Sequence, residues 1–115
     1  MYADDLASIE KLMKDSKELV DFGNAVERLR SNRDFKRVIT EGYFEKEAIR
    51  LVQLKSDPAM QSPASQTAIL SAMDGIGQLV QYLQDAVRTG ELAAKQLEDC
   101  ERERETMMEE GAENV

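Results

Sequence analysis

The sequence predicts an all-α chain, an elongated helical hairpin or bundle with a long C-terminal helix of coiled-coil character. Three observations carry the prediction. Apolar residues recur at heptad spacing over most of the length, both prolines (Pro58 and Pro63) fall in one short stretch, and no segment alternates apolar and polar residues as a half-buried strand would. A length of 115 residues, 42% hydrophobic and 33% charged, is that of a single helical domain spanning 1–115.

The first helix is expected over about 3–30. Leu12, Leu19 and Val26, with Phe22 and Leu29, give it an apolar seam at heptad spacing. Gly23 weakens this helix by about 1 kcal/mol relative to alanine without ending it. "SNRDF" then offers Ser31 or Asn32 as the cap of a second helix over about 33–55, which Phe35, Val38 and Ile39 open. Gly42 is expected to end or kink it, with Tyr43, Phe44, Ala48, Leu51 and Val52 continuing an apolar face up to Leu54.

Residues 56–62 read as the one clear loop. The residue before Pro58 is biased away from helix, and Ser62 followed by Pro63 has the form of an N-cap and first helical position. The third helix is expected over 63–109. Ile69, Ile76 and Leu83 occupy one heptad position, and Gly90 and Leu97 continue it in phase; Ala72, Leu79, Ala86, Ala93, Cys100 and Met107 hold the other. Arg88 followed two residues later by Gly90 also has the form of a glycine C-cap, at which the chain would reverse. A hairpin has no reason to preserve the register across a turn, whereas a continuous helix must, so the uninterrupted helix is preferred. At 1.5 Å per residue such a helix reaches about 70 Å, and its distal half then needs cover from another chain. Residues 110–115 read as a frayed tail.

Composition excludes several classes of chemistry. Histidine is absent, which removes the commonest general base and metal ligand, and with them serine triads, Cys–His pairs and the usual zinc sites. The single cysteine, Cys100, has no internal disulfide partner; at a heptad core position it reads as a small buried hydrophobe. "MYADDLASIEK" lacks the basic and apolar regions of a secretory signal, and no apolar run is long enough to span a membrane. Gly75 and Gly77 in "MDGIGQL" lack the third glycine and preceding strand of a phosphate-cradling loop, and read instead as small residues that let another helix approach, with Tyr43 and Phe44 nearby. The carboxylates Asp4, Asp5, Glu45 and Glu47 and the "EDCERERE" run lie on periodic surfaces beside basic residues, with Glu98 and Arg102 placed to pair and Glu101 and Glu105 to repel. No catalytic residue, metal ligand, cofactor or small-molecule substrate is expected.

The formal net charge is -8, concentrated at one end: residues 91–115 hold nine acids against three bases, whereas residues 1–90 hold fourteen against twelve. The only basic cluster is Arg28, Arg30, Arg33, Lys36 and Arg37, with Asp34 as its sole counterweight. On a chain this acidic, an acidic protein surface, including the acidic end of a neighbouring copy, is favoured over nucleic acid, and a plain solvated helix junction is the alternative to both.

The stretch "NRDFKRVITEGYFEKEAIRLVQLKSDPAMQSP", followed by "AMDGIGQLVQYL", resembles small helical proteins encoded by tailed bacteriophages, often near their head and packaging genes. The likeness covers residues 24 to about 100. It lies in Asp34, Phe35, Gly42, Tyr43, Phe44, Glu47, Ala48, Arg50 and Leu51, then Asp57 and Pro58, and it carries over no functional residue. It implies a phage setting, virion or host cytoplasm, and a protein that acts by binding others. The expectation is therefore a non-catalytic virion structural or assembly protein. Its Ile69, Ile76, Leu83 and Leu97 would face helices of other virion components or copies of itself. The alternative is an acidic inhibitor whose "EDCERERETMMEE" helix occupies a basic surface of a host enzyme or defence complex.

Overall fold

The computed structural model describes residues 2–113. Among these every residue except Asn32, Asp57, Gln61 and Ser62 is helical, and there is no strand. Helix α1 runs Tyr2–Ser31, with Asp4 and Asp5 in its first turn and Arg28 and Arg30 in its last, as the helix dipole favours. Asn32 turns extended (φ -66°, ψ 133°), and its side chain accepts from the Asp34 and Phe35 amides at 2.9 and 3.0 Å. The cap is thus Asn32, which satisfies two of the otherwise unpaired donors of the helix start.

A short α2 (Arg33–Phe35) leads into a π-helical segment, Lys36–Glu47, and this into α3, Ala48–Ser56. Gly42, expected to end or kink the helix, does not end it; the winding through it is π-helical. A Cβ at Gly42 would lie 3.3 Å from the Arg37 carbonyl oxygen five residues earlier, so its missing side chain leaves room for that wider winding. Most π-helical geometry is confined to a single turn, and a twelve-residue run is long for it.

Asp57 ends α3 and accepts from the Ala59 amide at 2.9 Å, starting a 3₁₀ turn over Pro58–Met60. Gln66 ties the loop down by donating to the Lys55 and Met60 carbonyls at 3.0 and 2.8 Å. Ser62 Oγ accepts from the Ser65 amide at 3.1 Å ahead of Pro63, the cap legible in the sequence. Helix α4 then runs Pro63–Glu113 without a break. It passes straight through Gly90, and no described glycine has a positive φ. Where fraying was expected from residue 110, the helix holds to Glu113; Asn114 and Val115 lie outside the described residues.

The residues group into two compact units, one formed by the segments 1–26 and 86–115, the other by 27–85. In the first, α1 and α4 run antiparallel: Tyr2 meets Gly111, Ser16 Oγ donates to Gln96 Oε1 in a long contact of 3.4 Å, and Gly23 meets Gly90. The seam is built from small residues. Ser16, Gly23, Ala93, Gly90 and Cys100 are all buried, with Ile9 and Val26. A Cβ at Gly90 would stand 3.2 Å from both the Gly23 Cα and the Leu19 carbonyl oxygen, and one at Gly23 would stand 3.1 Å from the Ala86 carbonyl oxygen. The two backbones are therefore nearly in contact, which only glycine permits here.

In the second unit, Leu51, Ile69 and Ile76 form the core, with Tyr43, Phe44, Ala48, Leu54, Met60 and Met73 packed on it. The Tyr43 and Phe44 rings are tilted against each other with centroids 6.0 Å apart. Tyr43 Oη lies 3.7 Å from where a Gly75 Cβ would be, an ordinary contact distance, and Gly77 has nothing within 4 Å, so neither glycine is required by a close approach.

Candidate protein-binding site

The seam assigned to neighbouring chains is used within this one. Ile69, Ile76 and Leu83 are buried at 7, 6 and 7% exposure, and Leu97 is half-buried. Ile69 and Ile76 face the Leu51 core rather than a partner. Leu97 lies in the distal part of α4, which α1 runs alongside, and heptad phase reveals neither neighbour. Partner helices accordingly have no access to Ile69, Ile76 and Leu83 without opening the fold.

A row of large apolar residues stays exposed on α1. The sequence places its seam along Leu12, Leu19, Phe22, Val26 and Leu29, but of these only Val26 is buried. The residues turned inward are Ile9, Ser16 and Gly23, seven apart, flanked by half-buried Leu6, Met13 and Val20. Helix α1 thus has two heptad rows. The row with small residues takes the intramolecular position because it admits the closer backbone approach, and the row of larger residues is left outside. Leu12 and Leu19 remain 40 and 44% exposed, with Phe22 beside them at 48%.

The basic cluster straddles the break at Asn32. Arg28, Arg33, Lys36 and Arg37 are exposed and Arg30 is partly so. Among the described residues Arg30 reaches Glu27 at 3.8 Å, and none of the other four has an ion pair. Lys36 and Glu41 are shared by two shallow hollows. One is bounded further by Arg33 and Arg37, the other by Arg30, Glu45 and Lys46. The cations are carried at one-turn spacing and repel one another.

At the far end of α4, Glu98, Asp99, Glu101, Glu103, Glu105, Glu109 and Glu110 are all exposed. Arg102 pairs with Asp99 rather than with Glu98 as expected. Near this end Asp5, Glu103 and Glu110 surround Ile9 and Met107 in an open groove. Arg104 Nε is buried without a hydrogen-bond partner among the described residues.

Glu47 accepts a hydrogen bond from Arg50 Nε at 2.8 Å, and that bond, with the Arg50 charge, holds its carboxyl below the ordinary glutamate value while raising Arg50. Cys100 is buried at 4% exposure. Among the described residues no three Cys, Asp or Glu side chains converge as a metal site would require, and no helix is long and apolar enough to cross a membrane. No family model, curated protein or solved structure matches the chain.

Proposed function

We propose that this chain is a non-catalytic assembly protein of a tailed-phage particle, acting through helix-mediated contacts with other virion components or with copies of itself. The observation that carries the protein-binding part is the outer row of α1, where Leu12 and Leu19 stay 40 and 44% exposed with Phe22 at 48%, three large apolar side chains on one face of a single helix. Covering what remains of each leucine contributes about 1 kcal/mol, enough for the row to anchor an apolar partner helix. The phage setting comes from the resemblance of residues 24 to about 100. The non-catalytic reading comes from a sequence without histidine and without a nucleophile–base pair.

Quantitative mass spectrometry of purified particles tests it. The protein is expected in fixed copy number per particle, and Leu12→Ser with Leu19→Ser is expected to lower that number while leaving the isolated protein folded. Absence from particles refutes the assembly role. The inhibitor reading is favoured by one feature, the unbroken helicity of α4 to Glu113, which presents exposed carboxylates on a rigid rod. It predicts a protein absent from particles that loses its effect on the host when Glu98 to Glu110 are neutralised.

A further inference from the structure

We propose that the exposed acidic face of α4 in one copy docks on the Arg28–Arg37 cluster of a second copy. This rests on the reading of the chain as a protein-binding module and names the partner. Arg33 lies one turn from both Lys36 and Arg37, with no carboxylate in an ion pair to any of the three among the described residues and only Glu41 bordering their hollow, so the cluster keeps a net positive charge that an anionic surface would offset. Glu101 and Glu105 are the same arrangement with the sign reversed, two exposed carboxylates one turn apart on α4. Each group relieves the other when they meet.

An apolar residue accompanies both faces. Val38, 62% exposed, stands on the same helical segment as the cluster, and Met108, 52% exposed, lies on the same α4 face as Glu101 and Glu105 at four- and three-residue steps. A contact with charges around a small apolar centre has the layout of a protein interface, with specificity set by the rim. Nucleic acid is the competing occupant of the cluster. It would leave the α4 carboxylates without a role and would meet a chain of net charge -8.

The experiment is light scattering of the full chain with two double variants, Arg33→Glu/Arg37→Glu and Glu101→Lys/Glu105→Lys. Glutamate and lysine are both good helix formers, so the helices are expected to be retained, and circular dichroism verifies this. A neutral pair, Arg33→Gln/Arg37→Gln, provides a second route should the reversal disturb the fold. The wild type is expected to self-associate at about 0.05 M salt and to dissociate by about 0.5 M, where screening shortens the reach of the charges. Each reversed variant alone is expected to associate about tenfold more weakly. An equimolar mixture of the two is expected to regain the wild-type mass, because every reversed surface then finds its complement.

Failure of the mixture to recover, a wild type that stays monomeric at low salt, or association indifferent to salt overturns the proposal. So does an oligonucleotide bound through the cluster with no self-association. Absence from phage particles would sink the particle role while leaving this pairing intact. Recovery in particles with no charge-dependent association would do the reverse.

Discussion

Two glycines on the same helix provide a matched pair. Gly77→Ala and Gly90→Ala make the same chemical change on α4 and carry the same gain in helix propensity, about 1 kcal/mol. They differ in what the new methyl meets. At Gly77 nothing lies within 4 Å, whereas at Gly90 it would stand 3.2 Å from the Gly23 Cα and 3.2 Å from the Leu19 carbonyl oxygen, both backbone atoms of α1. Backbone in a helix cannot swing aside as a side-chain tip can, so α1 and α4 must separate along their seam of small residues. Such overpacking costs about 1–3 kcal/mol, which outweighs the propensity gain. Gly77→Ala is therefore expected to raise stability by about 1 kcal/mol and Gly90→Ala to lower it by about 1. Their melting temperatures should then differ by about 8 °C for a chain of this size. Urea and thermal unfolding followed by far-ultraviolet circular dichroism read the difference directly. Adding Gly23→Ala to Gly90→Ala should cost less than the two singles together, since the first methyl already opens the gap the second would occupy. Equal stabilisation by both single substitutions would mean the backbones do not touch there, and the packing of α1 on α4 would be wrong.

Other outcomes follow from the same structure. Cys100 in the native protein should react with a thiol reagent about a hundredfold or more slowly than in urea, because the seam must open first; prompt labelling of folded protein would place it outside the core. The Glu47 carboxyl is held below its ordinary value, so the stability from its contact with Arg50 is present above that ordinary value and lost as pH falls through the lowered one. Glu47→Gln should remove that part of the acid dependence, and nuclear magnetic resonance titration of the wild type should show a midpoint below that of an unpaired glutamate. Ile76→Ala in the second core should cost about 2–5 kcal/mol, a loss that calorimetry resolves.

The helix boundaries were legible because the signals that set them are local. Ser62 with Pro63, Asp57 with Pro58, and Asn32 each act on their own neighbours through one or two hydrogen bonds, and each sits where the chain changes course. Heptad phase across Gly90 likewise identified an unbroken α4, since register is a property of one helix. What the pattern could not supply is which face meets what. Both rows of α1 repeat every seven residues, and counting apolar residues selects Leu12, Leu19 and Phe22 over Ile9, Ser16 and Gly23. The choice is made by backbone proximity, a pairwise quantity that appears only when α4 is laid alongside. The facing glycines were the available clue, because Gly23 and Gly90 each cost helix propensity that a close approach would explain. The same gap made Ile69, Ile76 and Leu83 look like an interface, although their side chains are buried within the chain. The widened winding of Lys36–Glu47 had no local signal beyond Gly42, which has the form of a stop as readily as of a change in pitch.

The most direct test of the account is a nuclear Overhauser measurement between the α-protons of Gly23 and Gly90. With a Cβ at Gly23 falling 3.2 Å from the Gly90 Cα, those protons should give a strong cross-peak, alongside unbroken sequential amide contacts from Arg88 to Leu92. A missing Gly23–Gly90 peak, or an interruption of the amide contacts at Gly90 with close pairs appearing between the residues on either side of it, would show the chain reversing there and would contradict a continuous α4 held against α1.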